Sequence, residues 1–188
     1  FIPSAIPPHK GTEGLADVKD RYQIIQTAMS PGKGLEASDV EIHRQGPSYT
    51  IDTVRHFISS FPSTPCYLIV GMDAFFEIDT WKSYKKLFNL IPIIVMTRPA
   101  EGIQMTAAPV AELEKYIHAH VDSGYQFLAH ESCFVHPAPE KQPVFLCYVT
   151  PVDISSTQIR NYVRQGVSIK PMVPDTIEKY IYKKGLYL

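Results

Sequence analysis

A chain of 188 residues can bury one sizeable α/β core and is too short for two comfortable ones. Apolar residues make up 45% and charged residues 20%, which is ordinary for a soluble globular protein and excludes a largely disordered one. The formal net charge of −1 leaves no electrostatic footprint for a nucleic acid or an anionic membrane surface, so any basic site must be local.

No apolar run approaches the roughly 18 residues of a membrane-spanning helix, and the start has no signal-peptide pattern. Cys66, Cys133 and Cys147 are odd in number and far apart, so they read as buried free thiols in a reducing cytoplasm rather than disulfides or a zinc site. Phe1-Ile2-Pro3 reads as the end of a strand. The loop through Ser4-Ala5-Ile6-Pro7-Pro8-His9-Lys10 is stiff, because each proline fixes φ and removes a donor. It presents His9 and Lys10 at low entropic cost, to solvent or to a ligand.

Val18, Tyr22, Ile25 and Met29 recur at helical spacing, predicting an amphipathic helix over residues 15–29 that Ser30-Pro31-Gly32 ends. Val40 and Ile42 alternate with polar neighbours and predict a short strand ending near His43, a surface residue. Gln45-Gly46-Pro47-Ser48-Tyr49-Thr50 then turns the chain into a second helix, capped by Ser48 or Thr50, with Ile51, Val54, Ile58 and Phe61 on one face.

Cys66-Tyr67-Leu68-Ile69-Val70 reads as a buried strand closed by Gly71-Met72-Asp73. In open parallel sheets ligands bind outside the carboxyl ends of strands, where a glycine admits close backbone approach and a carboxylate can accept from ribose hydroxyls. A turn glycine before a helix-capping Asp has the same pattern. Trp81, Tyr84 and Phe88 share a helical face, so the lone tryptophan is either core or a plate for a flat heteroaromatic ring, with helix-start N–H groups free for a carboxylate. Lys82, Lys85 and Lys86 read as a solvated face. Residues 91–97 form a third apolar run closed by Arg98-Pro99, where Arg98 either reaches a phosphate or stays in solvent.

From 100 to 143 the sequence is least informative: Val110, Leu113 and Ile117 suggest a helix, and Pro137-Ala138-Pro139 an exposed connection. His118 and His120, two apart, point to different sides of a helix, which argues against a metal pair. Val144-Phe145-Leu146-Cys147-Tyr148-Val149 reads as a strand buried on both faces, followed by Asp153-Ile154-Ser155-Ser156-Thr157-Gln158-Ile159-Arg160. Ser155 with Gln158 fits a capping box, the helix start favours anions, and Arg160 one turn in can reach back. A plain capped helix with an exposed Arg fits these residues too. Gly166 ends that helix, and a last one carries Ile177 and Ile181 before Lys183-Lys184 and Gly185. Three strand runs interleaved with helices, plus two shorter strands, argue for a parallel α/β sheet with helices on both faces.

Five stretches resemble, in order, motifs of the nicotinate-nucleotide adenylyltransferase family of nucleotidyltransferases. They are Ile2-Pro3 with Pro7-Pro8-His9-Lys10, Pro47-Ser48-Tyr49-Thr50 with Asp52-Thr53, Gly71-Met72-Asp73, Asp79-Thr80-Trp81, and Ile154-Ser155-Ser156-Thr157 with Ile159-Arg160. Arg98-Pro99 and the terminal Gly185-Leu186-Tyr187 add to the likeness. The resemblance implies one Rossmann-like nucleotidyltransferase domain over 1–188. It implies transfer of AMP from ATP to nicotinate mononucleotide, with Mg²⁺ accompanying ATP.

By the same resemblance Gly71, Asp73, Arg98, Ile154, Ser155, Ser156, Thr157 and Arg160 would bind ATP. His9, Lys10, Thr50, Trp81 and Lys82 would bind the mononucleotide, the first two at its phosphate, Thr50 and Trp81 at its ring. His9, Lys10, Ser156 and Arg160 would assist the transfer. It implies no protein-held metal, nucleic-acid or membrane partner, a cytoplasmic location, and compatibility with a homo-oligomer.

One element departs. The family's His-Xaa-Gly-His loop occurs nowhere in these residues, and the expectation is that it lies upstream of Phe1 in a further βα unit, on the order of 30 residues. A related transferase with another phosphate-bearing acceptor, and a nucleotide-binding module without chemistry, are the alternative readings.

Overall fold

A computed structural model describes residues 1–8, 14–29, 34–97 and 108–188. His9 and Lys10, the helix stop at Ser30-Pro31-Gly32, and Arg98-Pro99 lie outside them. In chain order the helices and strands are α1 (Val18–Met29), α2 (Thr50–Ser60), β1 (Leu68–Gly71), α3 (Met72–Phe75), α4 (Tyr84–Leu90), β2 (Ile93–Thr97), α5 (Ala108–Tyr116), β3 (Gln126–Leu128), β4 (Cys133–Val135), β5 (Val144–Tyr148), α6 (Ser156–Arg164) and α7 (Asp175–Lys184). A 3₁₀ turn covers Ile78–Thr80, and a π-helical turn, Ile117–Val121, follows α5. None of the described helices is long and apolar enough to cross a membrane.

The chain divides into two compact units, Tyr49–Pro151 and Phe1–Ser48 with Val152–Leu188. The first holds a five-stranded sheet of order β1-β2-β5-β4-β3. β1, β2 and β5 are parallel, with Leu68 opposite Ile93, Ile93 opposite Val144 and Thr97 opposite Tyr148. Parallel neighbours need long crossovers, and the chain supplies them: α3 and α4 between β1 and β2, and α5 with a β-hairpin between β2 and β5. β2 is the most enclosed strand, with Ile93, Val95 and Thr97 buried and Ile94 and Met96 half-buried. Phe75, Ile78, Leu87, Phe88, Leu113, Ile117 and Val144 complete its core with no exposed surface, each contributing about 1.5–3 kcal/mol by leaving water.

The parallel part of the sheet follows the sequence expectation, whereas β3 and β4 add an antiparallel hairpin beside it. Each is three residues long, too short to carry a period, and the link between them turns through Ser132 at φ 50°. The expected strand at Val40 and Ile42 is a turn: the Asp39 carbonyl accepts from the Ile42 and His43 N–H groups at 2.8 and 3.3 Å, and the Asp39 carboxylate meets the His43 ring at 3.1 Å. These turn bonds, with the Ser38 hydroxyl accepting the Val40 N–H at 3.4 Å, outweigh a two-residue alternation. Phe1-Ile2-Pro3 is not a strand either.

Burial on both strand faces also needs correction. Tyr67 and Ile69 are more than half exposed, and Cys147 is exposed while Cys66 is half-buried, leaving only Cys133 as a buried thiol. Burial raises the Cys133 thiol above its ordinary pKa.

In the other unit α1, α6 and α7 surround Val163, Ile169, Ile177 and Ile181. The Tyr180 hydroxyl donates to Asp20 at 2.7 Å, joining α7 to α1. Glu178, buried on α7, accepts the Ser168 hydroxyl at 2.7 Å and the Ile169 N–H at 2.9 Å, and these bonds hold its carboxyl below the ordinary value of 4.5. A depressed acid stabilises the fold in full above that ordinary value and loses the contribution as pH falls through its folded value. Thermal melts across acidic pH should therefore show a lower neutral-pH Tm and a shallower acid decline for Glu178→Gln than for the wild type. Parallel curves would remove Glu178 from this account.

Candidate active site

Because β1, β2 and β5 run the same way, their carboxyl ends finish along one edge of the sheet. Gly71 ends β1 there, and Asp73 follows in the first turn of α3 with its side chain exposed. The Asp73 carboxylate folds back over Gly71. A Cβ at position 71 would fall 2.5 Å from Asp73 Oδ1, so any side chain there would push the carboxylate aside. The backbone at Gly71 has φ −71°, a conformation open to any residue, so the close approach here is that of the Asp73 carboxylate.

Trp81 does not open a helix, as the sequence suggested. It closes the 3₁₀ turn Ile78–Thr80, donating its N–H to the Ile78 carbonyl at 3.0 Å, and α4 starts only at Tyr84. The break is at Ser83, whose left-handed backbone (φ 55°, ψ 33°) is uncommon for a residue with a Cβ. The indole is half-buried and packs on the core with Tyr84.

Lys82, expected on a solvated face and as a substrate residue, is held. Its Nζ lies 3.3 Å from Asp52 Oδ2 and 4.1 Å from the centre of the Tyr49 ring. Tyr49 and Asp52 flank Thr50, so this stretch grips the residue next to the indole. Thr50 is the first residue of α2 and half-buried. Neither it nor Ser48 caps that helix, because the position before it is Tyr49 and the Ser48 hydroxyl instead accepts from the Ala5 and Ile6 N–H groups at 2.9 and 3.3 Å.

Asp79 was not singled out by itself, although it stands two residues before Trp81. Its carboxylate accepts the Tyr116 hydroxyl at 2.8 Å and pairs with His120 at 2.8 Å. The Tyr116 bond first, then His120, holds the carboxyl below its ordinary range. Burial, and next the bond to Asp79, push the Tyr116 hydroxyl up to about 12. His118 and His120 do take separate partners, His118 meeting the Tyr125 carbonyl at 2.7 Å. No group of three or more His, Cys, Asp or Glu among the described residues is placed to hold a metal ion.

In the other unit Ser155 caps α6, its hydroxyl accepting the Gln158 N–H at 3.1 Å, which is the first half of the expected capping box. Ser155, Ser156 and Thr157 are exposed and Ile154 is half-buried. Arg160 does reach back: Nη2 donates to Thr157 Oγ1 at 3.2 Å, so hydroxyls, free first-turn N–H groups and a guanidinium share one helix end. Arg98, His9 and Lys10 lie outside the described residues.

The family model of cytidylyltransferase-like proteins matches residues 1–162, which puts the chain among the nucleotidyltransferases. A probable nicotinate-nucleotide adenylyltransferase of Desulfatibacillum aliphaticivorans is 38% identical over 196 residues, covering 100% of this chain and 84% of the relative. One from Geotalea uraniireducens (strain Rf4) is 35% identical over 189 residues, covering 100% and 82%. By these matches the chain belongs to the nicotinate-nucleotide adenylyltransferase family. Among solved structures, Plasmodium falciparum nicotinic acid mononucleotide adenylyltransferase complexed with NaAD shares the fold, with a TM-score of 0.65 at 15% identity over 99% of this chain and 80% of that one.

The cap at the start of α6 can be tested by itself. Ser155→Ala should cost about 1 kcal/mol in urea unfolding by removing the cap. Ser156→Ala, whose hydroxyl makes no cap bond, should stay within about 0.5 kcal/mol of wild type.

Proposed function

We propose that the protein transfers AMP from ATP to nicotinate mononucleotide, forming nicotinate adenine dinucleotide and pyrophosphate, in the cytoplasm. The observation that carries this reading at residue level is Trp81: a lone indole, half-buried on a turn whose neighbour Lys82 is tied down, in a chain similar along its whole length to nicotinate-nucleotide adenylyltransferases. The three free cysteines suit a reducing compartment.

In the proposed reaction a phosphate oxygen of the mononucleotide attacks the α-phosphorus of ATP in line. The new O–P bond forms as the bond to the β-phosphate oxygen breaks, and its electron pair leaves with pyrophosphate. No protein nucleophile takes part, so catalysis consists of positioning and of offsetting charge. Ser155, Ser156 and Thr157, with the N–H groups of their helix start and Arg160, hold the ATP phosphates, and Ile154 lines their approach. Gly71 and Asp73 take the adenosine side, where the exposed carboxylate accepts from ribose hydroxyls. Arg98 meets an ATP phosphate, and His9 and Lys10 the phosphate of the mononucleotide.

Thr50 and Trp81 fix the pyridine ring, and Lys82, drawn to Asp52 and Tyr49, serves by anchoring the turn. Mg²⁺ would enter with ATP, as a hard cation suited to phosphate oxygens, and would offset their charge. The N–H groups of Lys82 and Ser83 have no acceptor among the described residues. Donors beside the ring favour an acid over an amide, because charge-assisted bonds are stronger and an amide NH₂ would oppose them.

Pyrophosphate release from the full-length protein, measured with ATP or CTP and a panel of acceptors, tests the reading. Nicotinate mononucleotide with ATP should give the highest kcat/KM, above the amide analogue. Better turnover of the amide, of a non-pyridine acceptor or of CTP would overturn the substrate assignment, and nucleotide binding without turnover would overturn the activity. Trp81→Ala should raise KM for the mononucleotide roughly tenfold to a hundredfold, the scale of one lost aromatic stack, and leave KM for ATP nearly unchanged. Arg160→Ala should do the reverse.

A further inference from the structure

The turn that carries Trp81 is held from both chain directions. On one side Asp79 receives the Tyr116 hydroxyl on Oδ1 and the His120 Nδ1–H on Oδ2, each at 2.8 Å, and its own N–H approaches the Tyr116 oxygen at 3.4 Å. On the other side the Tyr84 hydroxyl donates to the His120 carbonyl at 2.8 Å. The His120 ring lies flat against Tyr116, with centroids 4.5 Å apart and planes 19° from parallel.

These contacts converge where the helix abandons α geometry. The π turn Ile117–Val121, which carries His120, closes with the Asp122 N–H on the Ile117 carbonyl at 2.9 Å. Packing does not require the Tyr116 hydroxyl. Its ring already meets Phe75 and Phe76 edge-on at 5.9 and 5.2 Å. Two donors on the two oxygens of one carboxylate fix the turn's rotation as well as its position, which a single bond does not.

The same unit holds a second pair, His136 Nε2 on Asp122 Oδ1 at 3.2 Å. There Nδ1 accepts the Ala138 N–H at 3.0 Å, and the bonds steady the connection after the hairpin instead of the tryptophan turn.

We propose that Tyr116 and His120 are positioning residues which, through Asp79, hold Trp81 as a preformed plate for the pyridine ring of the mononucleotide. The proposal rests on the reading of Trp81 as the stacking residue. A plate fixed before binding spares the ordering that a mobile one would undergo, so its loss appears in affinity for one substrate and not in the chemical step.

Trp81 is the only tryptophan of these 188 residues, so once any tryptophan outside them is replaced by phenylalanine its fluorescence reports the turn directly. In the full-length protein Tyr116→Phe and His120→Ala should each shift the Trp81 emission maximum and raise KM for nicotinate mononucleotide roughly tenfold, as expected for a lost charge-assisted bond, with kcat and KM for ATP within about twofold. His120→Asn, which keeps a donor near the Nδ1 position, should recover most of both effects. His136→Ala should leave emission and both KM values as in wild type. Unchanged emission and KM in Tyr116→Phe and His120→Ala, equal rises in KM for both substrates, or an equal emission shift in His136→Ala would overturn the proposal. Should His120→Ala fail to fold, Tyr116→Phe, which keeps every ring contact, decides. Absence of turnover in the wild type would instead defeat the activity assignment, while Trp81 emission would still say whether the brace holds the turn.

Discussion

The larger unit depends on the pairing of Ile93–Thr97 with a parallel neighbour on each side. Evenly spaced parallel bonds lock three strands into one direction, and a single strand therefore sets two registers at once. Residues proposed above to meet a ligand follow two of these strand ends along the chain. Gly71 and Asp73 follow β1, and the chain toward Ser155 leaves β5 at Tyr148. A slip of one residue in β2 would turn Ile93, Val95 and Thr97 out of the core and displace both neighbouring ends together.

The residues proposed for ligand binding are held to different degrees in the two units. The tryptophan turn is tied through Asp79, Lys82 and Tyr84 to three other elements. The exposed Lys82–Asp52 pair stabilises the fold by no more than about 1 kcal/mol, so its value is geometric. The start of α6 is different. Its hydroxyls are exposed, and among the described residues the Arg160 guanidinium has one neutral partner, Thr157. In the proposed reaction a flat ring gains from a plate already in place, whereas a phosphate brings enough charge to draw a guanidinium onto itself.

Motifs were legible where the chemistry is local. Ser155 and Gln158 announce a cap, and the structure has it; Pro174 and Gly185 bracket α7 as capping rules require. Glycine at 71 was readable as a place of close approach, although the approaching group is the chain's own Asp73. The misreadings share a cause. Trp81 was placed in a helix because three aromatic residues kept helical spacing, and Ser83 in a left-handed conformation broke the run. Ser48 looked like a cap and serves Ala5 and Ile6, 43 and 42 residues away. Tyr116 and His120 gave no signal, since their partner Asp79 lies 37 and 41 residues away along the chain.

By itself the sequence determined the alternation of apolar strands with helices, the strand-end Gly-Xaa-Asp, the hydroxyl-lined helix start and the family to which these belong, because each is written in neighbouring residues whose preferences act over one or two turns. Only the tertiary structure decided that the sheet is mixed, that Ile69 and Cys147 face outward despite apolar runs, and that Asp79, Asp52 and Tyr49 grip the tryptophan turn. Those outcomes depend on which distant groups complete a hydrogen bond or cover a face, and spacing along the chain does not encode that.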